Sequence, residues 1–237
     1  MIYKDSININ QTNISINSDI EDNSLKNYIL LLRSNLLNFI NLNPSFLTSL
    51  KPLKGINSNY SIVNLMNEAS LIGDVGPMAA VAGSIAELTC DYLINLGSKY
   101  SIVDNGGDIS LINNKIAICG IYSGNEFLDI SIGFKLKPRK KAIGICTSSA
   151  TTGLSLSFGT SQSVTVTCKK ASIADSLATS IANYVNGDSS EDAVNNALEV
   201  AENYKEYLYG VLIIKEDFIG KIGKLPEIIS TKPFDII

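Results

Sequence analysis

The 237-residue chain contains no histidine. That absence removes a Ser–His–Asp or Cys–His pair from its chemistry and removes histidine from any metal set. Acid–base work is left to Asp, Glu, Lys, Tyr, Cys or bound water. Cysteine is scarce: Cys90, Cys119, Cys146 and Cys168 are the four in the chain. No two of them form a C-x-x-C pair, so neither a zinc ribbon nor a thioredoxin-like motif is signalled. Charge is sparse too, at 18% of residues, and its balance is 19 − 23 = −4. That mild acidity argues against nucleic acid as a partner, since phosphate binding usually shows as a basic patch. The one basic cluster, Lys135, Lys137, Arg139, Lys140 and Lys141 around Pro138, reads as a solvated connection between strands rather than a phosphate clamp. No apolar run reaches the roughly 18 residues of a membrane span, and the chain opens without a charged-then-apolar leader. The expectation is a cytoplasmic protein with reduced thiols and no membrane partner.

What is present is a hydrophobic fraction of 45%, which describes a soluble globular chain with a substantial core. Without a linker or a fixed-period repeat, residues 1–237 read as one domain. Alternation of apolar and polar residues predicts a hairpin over Met1–Ser18, turning at Asn10–Asn13. Helical spacing of Leu25, Ile29, Leu32, Leu36 and Phe39 predicts a helix from Asp22 or Asn23 to about Leu42. Phe46 to Asn59 reads as a connection, Ile62–Ser70 as a short helix, and Pro77 as the first position of a slim helix. Strands are expected at Ser101–Val103, Ile109–Ile112, Lys115–Cys119, Phe127–Leu136, Ile143–Thr147 and Ser163–Thr167. An Ala-rich helix to about Val185 follows, then one capped by Ser189 or Ser190 and running to Tyr204. Tyr207–Lys215 and Phe218–Ile222 form a C-terminal hairpin, and Pro226 and Pro233 mark a frayed end. Strands and helices come in blocks rather than in strict alternation. That pattern is α+β with a mostly antiparallel sheet and packed helices.

The stretch from Ile145 to Cys168 is rich in Ser, Thr and Gly and nearly free of charge, and a small-residue helix with one acid, Asp175, follows it. Such a backbone can approach a ligand closely and offer N–H and O–H donors. Thr147, Ser148 and Ser149 are the donors singled out. Asp175 and Thr179, four apart, share a helix face and offer two hard oxygen ligands that suit Mg²⁺ or Ca²⁺. Pro77 and Met78 stand at a helix start able to receive an anion, and Asn105-Gly106-Gly107-Asp108 forms a tight turn. Each has a bland alternative: Ser/Thr-rich strands, a solvated acid, and tight helix-on-sheet packing.

Four blocks in one order carry a resemblance: VGPMAAVAGSIAE (Val75–Glu87), DNGGDI (Asp104–Ile109), CTSSATTGLSLSFG (Cys146–Gly159) and ADSLATSIANYV (Ala174–Val185). Over nearly its whole length the chain resembles uncharacterised protein family 0280, a relative of the ApbE flavin transferases. The resemblance implies a T-fold/ApbE-like α+β architecture. In ApbE enzymes FAD is bound and its FMN part is transferred to a protein Thr with Mg²⁺ assistance. Their NGGD-type turn matches Asn105, Gly106, Gly107 and Asp108, and their AD-x-x-x-T metal pair matches Asp175 and Thr179. FAD or FMN, Mg²⁺, a small-molecule ligand bearing phosphate or carboxylate, and a homodimer are thus implied by resemblance.

The chain departs from the enzymes where it matters for catalysis. Their H-x-x-x-P-x-T-G segment is absent, and Leu154 replaces the polar ring of the family's usual G-H-S-L-S-F-G at Gly153–Gly159. FMN transfer is therefore not expected. Members of the family occur in anaerobes and methanogenic archaea and have been linked to sulfur assimilation into homocysteine. On that alternative Cys146 is a catalytic thiol whose thiolate the donors of Thr147–Ser149 stabilise, working with a sulfur-pathway protein partner. A third reading is a binding or scaffold protein that keeps the fold without chemistry.

Overall fold

A computed structural model describes residues 1–9, 12–121, 132–149 and 163–231. The chain begins with the expected hairpin, β1 (Tyr3–Ile9) and β2 (Thr12–Ser18), in which Ile7 stands opposite Ile14. Ile7, Ile14 and Ile16 are buried against helix α1 (Leu25–Leu42), whose buried stripe is Leu25, Ile29, Leu32, Leu36, Phe39 and Ile40. Its N-cap is Ser24, one or two residues beyond the expected start.

A four-residue helix α2 (Ser45–Thr48) then interrupts the segment that the sequence presents as a plain connection. Phe46 explains it: the ring is fully buried and meets Phe39 edge-on at 5.1 Å, so packing rather than propensity fixes this turn. Helix α3 (Ser61–Gly73) follows. Pro77 does not open an α-helix directly. It opens a 3-10 turn, Pro77–Ala80, and helix α4 (Val81–Asn95) begins after it.

Next come β3 (Ser101–Asn105), β4 (Asp108–Ile112), β5 (Ala117–Ile121), β6 (Ile132–Leu136), β7 (Ile143–Ser148) and β8 (Ser163–Cys168). The first half of the expected Phe127–Leu136 strand and all of Gly153–Gly159 lie outside the described residues. Helix α5 (Ala171–Ala182) and helix α6 (Ser190–Glu202, capped by Ser189) lead to β9 (Leu208–Lys215), β10 (Phe218–Gly223) and β11 (Glu227–Ser230). The last strand replaces the frayed end that Pro226 suggested, and it pairs antiparallel with β6.

Eight strands form one antiparallel sheet in the order β1-β2-β3-β4-β7-β8-β9-β10, and β11-β6-β5 form a second. The large sheet is two successive hairpin–helices–hairpin units joined side by side where β4 pairs β7. Helices cover one face. On the other, Ile109, Leu111, Ile143, Ile145, Leu212 and Ile214 pack against Cys119, Phe134 and Leu136 of the small sheet. α5 sits against β7 and β8 with α3, α4 and α6 around it, and all twelve of its residues are buried. That position explains its Ala, Ser and Thr content, since a helix enclosed on every side has no room for long side chains.

Candidate functional site

The helices α4 and α5 organise the site. They run past each other in opposite directions, and each caps the other. The Gly83 N–H donates to Asp175 Oδ2 at 2.8 Å, and the Ala82 N–H also reaches this carboxylate. In return the Ser172 N–H and hydroxyl donate to Glu87 Oε2 at 2.9 and 2.7 Å. Each helix thus answers the free N–H groups and partial positive charge of the other's first turn with a carboxylate. Gly83 makes the approach possible: a Cβ there would lie 2.5 Å from the Ala171 carbonyl oxygen and 2.7 Å from Asp175 Cβ. The free N–H groups at the start of α4 are thus met by the protein's own Asp175.

The turn between β3 and β4 docks beside this crossing. Asn105 pairs with Asp108, and Gly106 and Gly107 both take positive φ (+70° and +100°), a two-residue hairpin loop that needs those glycines. Asn105 Nδ2 donates to the Ala82 carbonyl at 3.2 Å, tying the turn to α4. Asp104 Oδ1 accepts from the Gly107 N–H at 2.8 Å.

Asp108 stands opposite Cys146 in the β4–β7 register, and its carboxylate accepts from the Thr147 N–H. Burial pushes its carboxyl well above the usual carboxylate range, and the charges on Asp175 and Asp104 push it further. Burial raises Asp175 to about 7, with the N–H groups of Gly83 and Ala82 pulling the other way. Asp104 is raised by burial as well. Asp175 and Thr179 are 8% and 6% exposed, whereas Asp104 and Asp108 are half-buried and reach solvent. This end of the crossing is acidic, and among the described residues none of its acids is in an ion pair.

Asn105, Asp108, Cys146, Thr147 and Asp175 meet here. Thr179 lies one turn further along α5, a helix on which the 3-10 turn carrying Pro77 and Met78 also packs. Pro77 is buried, and Met78 is half-buried against the N-terminal core. Gly106 is exposed at the tip of the turn. Thr147 shares a 3.0 Å hydrogen bond with Thr165. Ser148 ends β7 and Ser149 follows it, both buried, and the Ser148 hydroxyl has no partner among the described residues.

Cys146 is fully buried, and its thiol donates to the Ala171 carbonyl at 3.2 Å. Burial pushes this thiol far up, and the carboxylates of Asp108 and Asp175 push it further. The surroundings therefore oppose a thiolate, the reverse of the donor-rich setting expected from Thr147–Ser149, because the nearest charged groups are acids. Cys90, Cys119 and Cys168 are buried thiols raised to about 12.

Sequence reasoning did not include Asp104, or the N–H groups of Ala82 and Gly83. It also overlooked Glu87 as the counterpart of Asp175. A signal for that counterpart was present: Ser84-Ile85-Ala86-Glu87 and Ser172-Ile173-Ala174-Asp175 share Ser-Ile-Ala-acid. Among the described residues no three His, Cys, Asp or Glu side chains group into a ready-made metal set. A cation here would take carboxylate, hydroxyl and ligand oxygens together. An oxygen-only set of that kind suits Mg²⁺.

The large antiparallel sheet covered by helices, with the NGGD turn beside the α5 acid, defines an ApbE-like protein. The Vibrio cholerae flavin transferase ApbE is similar at TM-score 0.56 and 16% identity, covering 94% of this chain and 96% of that one. The apo flavinyl transferase ApbE of Pseudomonas stutzeri gives 0.55 and 12%, covering 98% and 95%. At those identities the likeness is one of fold. The family model described as AbpE bacteria matches residues 4–207. UPF0280 proteins of Methanobrevibacter smithii (52% identical, 97% of each chain) and Methanothermobacter thermautotrophicus (43% identical, 94% of this chain and 86% of that one) align along nearly its whole length. The chain belongs to the UPF0280 family.

Proposed function

We propose that the protein binds a small phosphate- or carboxylate-bearing ligand together with a divalent cation at the acidic end of the α4–α5 crossing. The observation that carries this reading is the uncompensated negative charge there. Asp108 is raised by its own burial and by the charges of Asp175 and Asp104, with no cationic side chain paired to any of them among the described residues. Like charges held close together and partly out of water are costly unless neutralised by protons or by a cation. Mg²⁺ is the fitting cation, because it commonly takes one or two carboxylates and completes its shell with water and ligand phosphate oxygens. Asp108 and Asp175 would supply the carboxylates and Thr179 a hydroxyl. Bound there, the ion supplies positive charge that neutralises and orients a phosphate group. The backbone of the Asn105–Asp108 turn and the end of β7 form the adjoining wall.

Flavin is the ligand class to try first, because the structures that share the fold are named flavin transferases. Binding is proposed and flavin transfer is not, since the chain has no histidine for proton movement. Sulfur transfer at Cys146 is disfavoured by the burial of the thiol and by the acids around it. The test is Mn²⁺ binding followed by electron paramagnetic resonance, and FAD binding followed by flavin fluorescence with and without Mg²⁺. Saturable Mn²⁺ binding and Mg²⁺-dependent FAD binding are expected, with both weakened at least tenfold in Asp108→Asn. Mn²⁺ affinity unchanged in Asp108→Asn and in Asp175→Asn would remove the metal from this reading.

A further inference from the structure

The opposite end of the α4–α5 crossing is a second place of the same construction with the opposite charge. Glu87 caps α5 there as Asp175 caps α4, and Asp91, one turn after Glu87, takes the place that Thr179 has one turn after Asp175. At this end the crossing opens into a cleft of about 400 Å³, within the size range of small-molecule sites. Lys140 and Lys141 reach it from the connection between β6 and β7, and Lys169 and Lys170 from the corner between β8 and α5. Lys140 and Lys141 belong to the basic cluster of the sequence and follow β6. Lys170 pairs with Glu68 at 2.9 Å, whereas Lys140, Lys141 and Lys169 have no ion pair among the described residues. Glu87 is occupied by the α5 cap. Glu87 and Asp91 are then the two acids of the cleft, against four lysines. Three unpaired ammonium groups around one concavity, in a chain of net charge −4, focus a positive potential that attracts an anion. Ile94, Ile112 and Ala142 complete the walls and offer apolar surface beside the charge.

We propose that this cleft is a second ligand site, which takes a small molecule with a phosphate or carboxylate group on an apolar body. Lys140, Lys141 and Lys169 receive the anion, and Ile94 and Ile112 receive the body. The site stands apart from the acidic end and does not depend on a metal there.

Phenyl phosphate is the probe, titrated into protein with labelled isoleucine methyl groups and followed by NMR. Saturable shifts of Ile94 and Ile112 are expected, weaker with inorganic phosphate alone. The triple variant Lys140→Ala, Lys141→Ala, Lys169→Ala should lose at least tenfold in affinity. All three lysines are exposed, so the fold should be kept. A control with the same net charge, Lys4→Ala, Lys54→Ala, Lys221→Ala, replaces exposed lysines outside the cleft and should bind as the unaltered protein does. No saturable shift at Ile94 and Ile112 overturns the proposal. Equal losses in the two triple variants also overturn it, since bulk charge rather than the cleft would then be responsible.

Discussion

The two ends of the α4–α5 crossing are built by the same device and differ in what the neighbouring strands bring to it. At both ends a carboxylate from one helix closes the first turn of the other. At one end the β3–β4 hairpin adds Asp104 and Asp108, and burial together with the charges of Asp175 and Asp104 raises Asp108. At the other, the β6–β7 connection and the β8–α5 corner add lysines. Glu87 is also raised by burial; the Ser172 N–H and hydroxyl pull it back, Asp91 pushes it up, and Lys170 adds a smaller pull down, a cationic contribution that is not among the causes acting on Asp108 or Asp175. Helix packing therefore sets where a ligand can sit, and loops and strand ends set the sign of its charge.

Breaking the crossing itself should produce the largest effect. Gly83→Val places a branched Cβ where the Ala171 carbonyl and Asp175 Cβ already lie 2.5 and 2.7 Å away. One of these contacts is backbone, so the helices must separate and both ends suffer. A loss of about 3 kcal/mol in urea unfolding is expected, the upper part of the overpacking range. A loss below about 0.5 kcal/mol would mean that the helices tolerate a wider spacing than their caps imply.

Removing one cap sharpens the comparison. Glu87→Ala leaves the Ser172 N–H and hydroxyl without their acceptor, at a cost of about 2 kcal/mol. Glu87→Gln keeps an acceptor and should recover most of it. Mn²⁺ binding at the acidic end should survive in Glu87→Gln. Its loss there would show that the ends are coupled rather than separately built.

Much of this arrangement was legible before any coordinates. The N-terminal hairpin, the α1 stripe and the Asn105–Asp108 turn follow from period-2 and period-3.6 patterning and from the demand of Asn-Gly-Gly for positive φ. Asp175 and Thr179 were legible as one helix face. What stayed hidden depends on tertiary packing. Phe46 forms a helical turn only because Phe39 is there to meet it, and β11 exists only because β6 offers an edge. The charge around Cys146 was not legible, because its neighbours in sequence are hydroxyl residues, whereas its neighbours in space across β4 and α5 include Asp108 and Asp175. Spacing along a chain reports the local face and says nothing about the charge on the strand next door.

The smallest expected effect tests the acidic end through its protons. The folded protein holds a proton on Asp175 up to about pH 7, while the unfolded chain releases it near the ordinary carboxylate value. Asp108 is displaced in the same direction. A group raised on folding contributes its full stability below its unfolded value, and that contribution fades as pH rises through the folded one. For Asp175 the window runs from about 4 to about 7. Other acids act in the opposite sense, Asp19 and Asp22 being lowered on folding, so the informative quantity is the difference between the protein and Asp108→Asn. At pH 4 both should unfold at nearly the same temperature, because the replaced carboxyl is largely protonated in the folded state. At pH 8 without metal the variant should be more stable by about 1 kcal/mol, since one of the mutually repelling charges is gone. Mg²⁺ should narrow that gap by stabilising the parent protein alone. A variant less stable than the parent at pH 8 without metal would mean that the hydrogen bond from the Thr147 N–H outweighs the burial of the charge. The acidic end would then be a satisfied structural cluster, and the contrast with the lysine-lined end would be one of surface charge only.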